Sequence, residues 1–160
     1  PGRPTPRGRE PRDAALARCA AGAEVDAGTH GVWAVVPRVD DGAGLPDGAP
    51  VGTILLKSIP ASGTGEPLQP SGDTEIGWHF HPAAWGRGYA SEAASAVLAH
   101  AFARGLDRVV AVTHPDNAAS QAVCRRIGMT PRGRTDAYYG VTCELFDVTA
   151  AERARAARPA

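Results

Sequence analysis

The sequence predicts a single α/β domain, and three observations predict it. Residues 75–81 (EIGWHFH) alternate like a strand and lead through a glycine-bearing turn into a long helical pattern that Gly105 stops. Residues 108–113 (RVVAVT) form a β-branched run that leads into a second helix, opening near Asn117 and closing at Ile127-Gly128. Further strand-like runs stand at 31–37 (GVWAVVP), 51–57 (VGTILLK) and 143–148 (CELFDV). A chain of 160 residues with 43% hydrophobic content is long enough for one core and short for two.

Taken in order, residues 1–12 (PGRPTPRGREPR) hold four prolines and four arginines with little to bury, and are expected to be disordered. Residues 13–149 form the predicted domain. It opens on a short helix at 13–21 with Asp13 as its cap. The strands at 31–37 and 51–57 are joined by an Asp/Gly/Pro-rich loop at 38–50, which implies a meander, and residues 59–74 read as a second loop. Along 75–81, Ile76, Trp78 and Phe80 point to one face and Glu75, Gly77, His79 and His81 to the other, so the strand can bury one face and work with the other. Ala93, Ala94, Val97, Leu98, Ala101 and Phe102 mark one face of the long helix. Residues 150–160 are an Ala/Arg-rich tail, helical or frayed.

The turn before the long helix carries the chemical signal. The first N–H groups of a helix have no internal partner, and its dipole favours an anion there. Gly86 and Gly88 lack a Cβ, so a group as bulky as a diphosphate can approach the main chain, with Arg87 beside it. A Walker A loop needs Gly-Lys-Ser/Thr, and Lys57 is the only lysine. A Rossmann fingerprint needs a small third residue where Ser91 stands and an acid after the next strand, whereas Asp107 precedes it. Neither motif fits.

Trp85 to Ala90 (WGRGYA) instead resembles the acetyl-CoA motif of the GNAT superfamily of N-acetyltransferases, with Trp85 in the first place, Gly88 as its glycine and Ala90 as the last small residue. Tryptophan first resembles the RimJ/RimL-like branch. The segment from Asn117 to Met129, with N-x-x-S at Asn117–Ser120 and a closing Gly128-Met129, resembles a second motif of that branch, at the same distance from the first. The resemblance runs from about residue 31 to about residue 146. It implies a mixed, mostly antiparallel sheet with helices on both faces, and an enzyme that moves acetyl from acetyl-CoA to a primary amine, on a protein N-terminus or a small molecule. The amine would attack the thioester directly, the protein supplying position and electrostatic help. The contrasting reading is an idle acyl-CoA-binding regulatory module.

By the same resemblance, acetyl-CoA contacts are expected at Trp85, Gly86, Arg87, Gly88, Tyr89, Ala90, Asn117 and Ser120, and at the main chain of Phe80 and His81. Many relatives place a tyrosine seven residues after the asparagine to protonate the departing thiolate; here that place holds Cys124, so Ser120 is the candidate donor, set against a serine that merely serves the first turn of a helix. Glu75 is the candidate base, with His79 on the same face as an alternative. Tyr139, in DAYYG, matches a Tyr-Gly element near the acceptor end of the branch; packing is the contrasting reading for it and Tyr138. The glutamate that RimL-like enzymes carry near there has no clear equivalent. The resemblance also implies that a first strand and helix are missing. That would expose the edge of the strand around Trp33 to self-association, a homodimer among the outcomes.

Composition narrows the alternatives. A formal net charge of +0 offers no global field for nucleic acid or an anionic membrane. No apolar run approaches 18 residues, and a cytoplasmic enzyme is the default expectation. Cys19, Cys124 and Cys143 lack disulfide or zinc spacing. His79 and His81 share a strand face without a third ligand at a recognisable spacing, so no metal is expected.

Overall fold

The structure, a computed structural model, describes residues 28–37, 48–65 and 67–156. The expectations for residues 1–12, the helix at 13–21 and Cys19 fall outside the described residues. Six strands make one sheet: β1 (Gly31–Val35), β2 (Gly52–Pro60), β3 (Pro70–Phe80), β4 (Arg108–Thr113), β5 (Thr130–Thr135) and β6 (Cys143–Thr149). Their spatial order is β1-β2-β3-β4-β6-β5, with β3 and β4 parallel and the other neighbours antiparallel. Three helices join them: α1 (Tyr89–Ala103) after β3, α2 (Ala118–Arg126) after β4, and α3 (Ala150–Ala156) directly after β6.

Helical and strand periodicities meet in one core. Ala94, Val97, Leu98 and Ala101 of α1 and Cys124 of α2 pack with Ile54, Leu56, Ile76, Val109, Ala111 and Phe146 of the sheet. The alanines let α1 lie close to the strands, so the large side chains there are held tightly; Leu98 is fully buried, and Leu98→Ala belongs to the class that costs about 2–5 kcal/mol. Helices were expected on both faces. Among the described residues α1 and α2 share one face, and α3 sits beside α1, with Arg153 donating to the Ser95 carbonyl at 3.2 Å. On the other face Ile59 and Val110 are covered by Tyr138, with Tyr139 and Leu145 beside them. The loop at 136–142 does there what a helix would otherwise do.

Two boundaries differ from the sequence reading. The expected loop at 59–74 shrinks, because β2 runs on to Pro60 and β3 begins at Pro70. A register shift between Ser58 and Pro60 admits the proline, Ile59 is fully buried, and the Ser71 hydroxyl bonds the Ile59 carbonyl at 2.7 Å. Strand β5 was not foreseen at all: its sequence, TPRGRT, is polar and carries Pro131 and Gly133, both strand-weakening residues. It forms as the outer edge of the sheet, with a shift between Pro131 and Gly133, where a missing N–H costs nothing and arginines discourage further pairing.

Candidate active site

The site begins with a gap in the middle of the sheet. Pairing between β3 and β4 is confined to Glu75 opposite Val110. Gly52 lies opposite Phe80, and the His81 N–H donates to the Val51 carbonyl at 2.9 Å, so Phe80 and Trp78 belong to the wide pairs that turn their peptide groups away from β2. Those groups face the gap. The Phe80 carbonyl accepts the Trp85 indole N–H at 3.0 Å, which ties the following turn back to the strand end.

Beyond the gap, both helices open toward the same end of the sheet. Gly88 is the N-cap of α1, with φ +85° and no side-chain cap, so the first-turn N–H groups are left to a ligand or solvent. A Cβ built on Gly86 (φ +74°) or Gly88 would meet nothing within 4 Å, so these glycines serve the turn's left-handed backbone and leave open space above it. That space is a cleft of about 770 Å³ between the start of α1 and α2. Arg126, at the end of α2, reaches across its rim and donates to the Ser91 hydroxyl at 3.0 Å. No ion pair between Arg126 and a carboxylate is present among the described residues. Arg87 is turned back to the Ala83 carbonyl at 3.2 Å.

The N-terminus of α2 separates two residues that the sequence left entangled. Asn117 is the cap: its Oδ1 accepts the Ser120 N–H at 3.0 Å. The Ser120 hydroxyl is therefore not spent on capping, and Ser120 lines both the cleft and a second cavity of about 600 Å³. Cys124, one turn further on, is fully buried in the core, and burial pushes its thiol up to about 12. It reaches neither cavity.

The second cavity holds a perturbed carboxylate. Glu75 is 8% exposed, and burial raises its pKa above the ordinary carboxylate range. A hydrogen bond from the Tyr139 hydroxyl, the positive charge of Lys57 and His79 act in the opposite direction. Lys57 Nζ stands 3.9 Å from Glu75 Oε2 and 5.4 Å from the centre of the Tyr139 ring. Tyr139 has φ +58°, the one non-glycine residue in the left-handed region among those described, a conformation that costs of order 1–3 kcal/mol unless its surroundings hold it. Burial first, and then the bond to Glu75, raises the tyrosine's own pKa, so Tyr139 acts here as a donor and not as a phenolate. Its neighbour Tyr138 is buried and turned elsewhere, donating to Asp73 Oδ2 at 2.7 Å. A third hollow, of about 640 Å³, lies against Trp33, Val35, Ile54 and Val97 and gathers no comparable set of polar groups.

A bare, uncapped helix start over an open cleft that joins a cavity with one perturbed carboxylate agrees with comparison to known proteins. Residues 3–130 match the family model described as an acetyltransferase (GNAT) domain. The chain belongs to the GNAT acetyltransferase family. Among curated relatives, the "uncharacterized N-acetyltransferase YnaD" of Bacillus subtilis is 45% identical over 60 residues, 37% of this chain and 35% of that protein. The FsC-acetyl coenzyme A-N(2)-transacetylase of Aspergillus fumigatus is 33% identical over 96 residues, 59% of this chain and 40% of that one. The matched part thus spans well under half the length of these relatives. Among solved structures, Mycobacterium smegmatis RimJ in complex with CoA-disulfide shares the fold, with a TM-score of 0.62 and 23% identity, over 88% of this chain and 61% of that one.

For this GNAT domain, the structure brings together most of the residues chosen from sequence. Phe80, Trp85, Gly86, Gly88, Tyr89, Ala90, Asn117 and Ser120 line the cleft, and Glu75, His79, Ser120 and Tyr139 line the adjoining cavity. His81 is engaged elsewhere. Its N–H is taken by Val51, its ring Nδ1 accepts the Ala83 N–H at 3.2 Å to cap a short 3₁₀ turn at Pro82–Ala84, and it lines neither space. Arg87 bonds the Ala83 carbonyl and does not line the cleft, whereas Arg126 does. Arg126 and Lys57 were missed. Nothing in the sequence distinguishes Arg126 from an ordinary basic residue in the last turn of a helix, and Lys57 becomes conspicuous only once β2 is placed beside Glu75.

Proposed function

We propose that this chain transfers the acetyl group of acetyl-CoA to a primary amine by direct attack within a ternary complex. The observation that carries the reading is the meeting of the two spaces at Ser120: a cleft suited to a diphosphate and a pantetheine arm on one side, a cavity with a buried, perturbed Glu75 on the other. The diphosphate of acetyl-CoA would sit on the open N–H groups of α1 with Arg126 beside it. The pantetheine arm would follow the peptide groups of Trp78 and the Phe80 N–H along the gap, the Phe80 carbonyl being held by Trp85. Glu75 takes a proton from the bound ammonium, held by Tyr139. The free amine attacks the thioester carbonyl; its nitrogen–carbon bond forms as the carbon–sulfur bond breaks, and Ser120 gives a proton to the departing sulfur. The acylated nitrogen sheds its second proton, which restores the Ser120 hydroxyl, and Glu75 releases the proton it took to solvent, so the chain ends as it began.

Two further points support a placement within the family. The WGRGYA turn and the N-x-x-S segment favour a RimJ/RimL-like enzyme, and the fold shared with the mycobacterial RimJ is consistent with that. The acceptor is then a protein N-terminus or a small amine. The catalytic unit is assigned to residues 13–149. The test is release of CoA thiol from acetyl-CoA by the purified chain across a panel of amines and N-terminal peptides. Release that depends on both amine and Glu75 is expected. Tight acetyl-CoA binding with no release from any amine would return the chain to an idle acyl-CoA-binding module.

A further inference from the structure

The cavity beside Glu75 also carries a statement about which amine it accepts. Its charge inventory, among the described residues that line it, is one carboxylate, Glu75, one ammonium, Lys57, and two imidazoles, His79 and His114. His114 lies 3.7 Å from Asp116, which is itself almost wholly exposed and outside the lining. The groups facing Glu75 come from every side: Lys57 on β2, His79 on β3, Tyr139 on the 136–142 loop, and the Cys143 thiol on β6. A polyamine entering this space would find a single carboxylate, already opposed by a lysine.

Lys57 is held without being saturated. At 3.9 Å from Glu75 Oε2 it is in electrostatic contact but beyond hydrogen-bond distance, and it lies over the Tyr139 ring at 5.4 Å. Its side chain is 47% exposed, and no hydrogen bond from it is present among the described residues. An ammonium has three N–H donors, and a cation–π contact consumes none of them. So the cavity presents, 3.9 Å apart, a carboxylate that can take a proton from an amine and a cation with N–H donors to offer a group beside that amine.

Resting on the acetyl-transfer reading, we propose that the acceptor is a monoamine with an anionic group on the neighbouring carbon, of amino-acid type, its amine at Glu75 and its anion at Lys57. Lys57 is then a specificity-determining residue. Neutral amines lose a charge-assisted hydrogen bond, and diamines meet Lys57 with a like charge.

The test uses the full chain, saturating acetyl-CoA and three matched panels: the common amino acids, their α-amides, and linear diamines, with short peptides as a fourth arm. Alkaline buffer keeps Glu75 ionised with or without Lys57. At least one amino acid should exceed its amide in kcat/KM by roughly 10- to 100-fold, the worth of one charge-assisted hydrogen bond. Lys57→Met should collapse that ratio to near one, and Lys57→Arg should retain the preference. A higher kcat/KM for amides, peptides or diamines overturns the proposal, as does a ratio that Lys57→Met leaves unchanged. Turnover with the wrong acceptor sinks this inference alone. Acetyl-CoA binding without turnover of any amine sinks the transfer reading, and this inference with it.

Discussion

Two adjacent tyrosines on one loop each donate to a carboxylate on β3, and the two carboxylates are two residues apart, yet the pairs are built for different ends. Tyr138 bonds Asp73, and Asp73 is met at 2.9 Å by Arg108. Arg108 also holds Asp147, which takes Arg132 at 2.6 Å, and Arg132 reaches Glu152. Every acid in that chain has a guanidinium against it, and none of these side chains lines the cleft or the cavity. Tyr139 bonds Glu75, which is more deeply buried than Asp73, has one lysine at 3.9 Å and, among the described residues, no guanidinium against it, and faces a hollow. The lesson is one of compensation: a carboxylate matched by arginine is structure, while one left short of charge and beside a cavity has a pKa free to be used.

The largest expected effect falls on the under-compensated pair. Glu75→Gln keeps an acceptor for the Tyr139 hydroxyl and removes the base, so kcat should fall roughly 10²- to 10⁴-fold with no loss of melting temperature. Asp73→Asn should do the reverse, holding kcat near wild type and costing about 1–2 kcal/mol, since the pair it breaks is only partly shielded from water. If Asp73→Asn abolished turnover in a stably folded protein, the division between the two tyrosines would fail.

Next comes the thiolate donor. Ser120→Ala should lower kcat by roughly 10²-fold with KM for acetyl-CoA little changed. Cys124→Ala should leave kcat alone and cost about 1 kcal/mol by opening a small cavity in the core. Smaller again, Arg126→Ala should raise KM for acetyl-CoA about tenfold and spare kcat, because in the proposed complex the guanidinium meets the phosphates and not the reacting carbon.

A pH effect on stability sharpens the contrast. Glu75 has a folded-state pKa raised above its unfolded one, so at low pH, protonated in both states, it costs nothing. As pH rises from the unfolded value through the folded one, ionisation increasingly disfavours the native state. Glu75→Gln should therefore gain stability relative to wild type across that window and hold a constant advantage above it, as read by denaturant titrations at stepped pH. A difference that shrinks with rising pH would mean that Glu75 is better solvated than its burial indicates.

Much of this was legible in the sequence, and the reasons for the rest are physical. The strand at 75–80, the glycine turn and α1 announce themselves through local periodicity and the absence of a Cβ at Gly88. Glu75 was visible as the polar face of a strand. Its bond to Tyr139 was not, because the partners are 64 residues apart and Tyr139 reaches Glu75 through a left-handed backbone that no residue pattern demands. Strand β5 hid behind proline and glycine because an edge needs neither apolar alternation nor every N–H. The partner of the His81 N–H was hidden for a similar reason: alternation places a side chain on a face, but which strand receives the N–H depends on register, and here Val51 takes it.

The most direct test removes one hydroxyl from each limb. Tyr138→Phe and Tyr139→Phe delete the same atom from neighbouring positions, and kcat/KM against pH, with melting temperature alongside, reads both roles at once. Tyr138→Phe should lose stability and keep the wild-type pH profile. Tyr139→Phe should shift the rise in kcat/KM to higher pH, since Glu75 loses the donor that lowers its pKa, with a smaller change in melting temperature. Identical pH profiles for wild type and Tyr139→Phe would contradict the assignment of Glu75 as the base that this tyrosine holds.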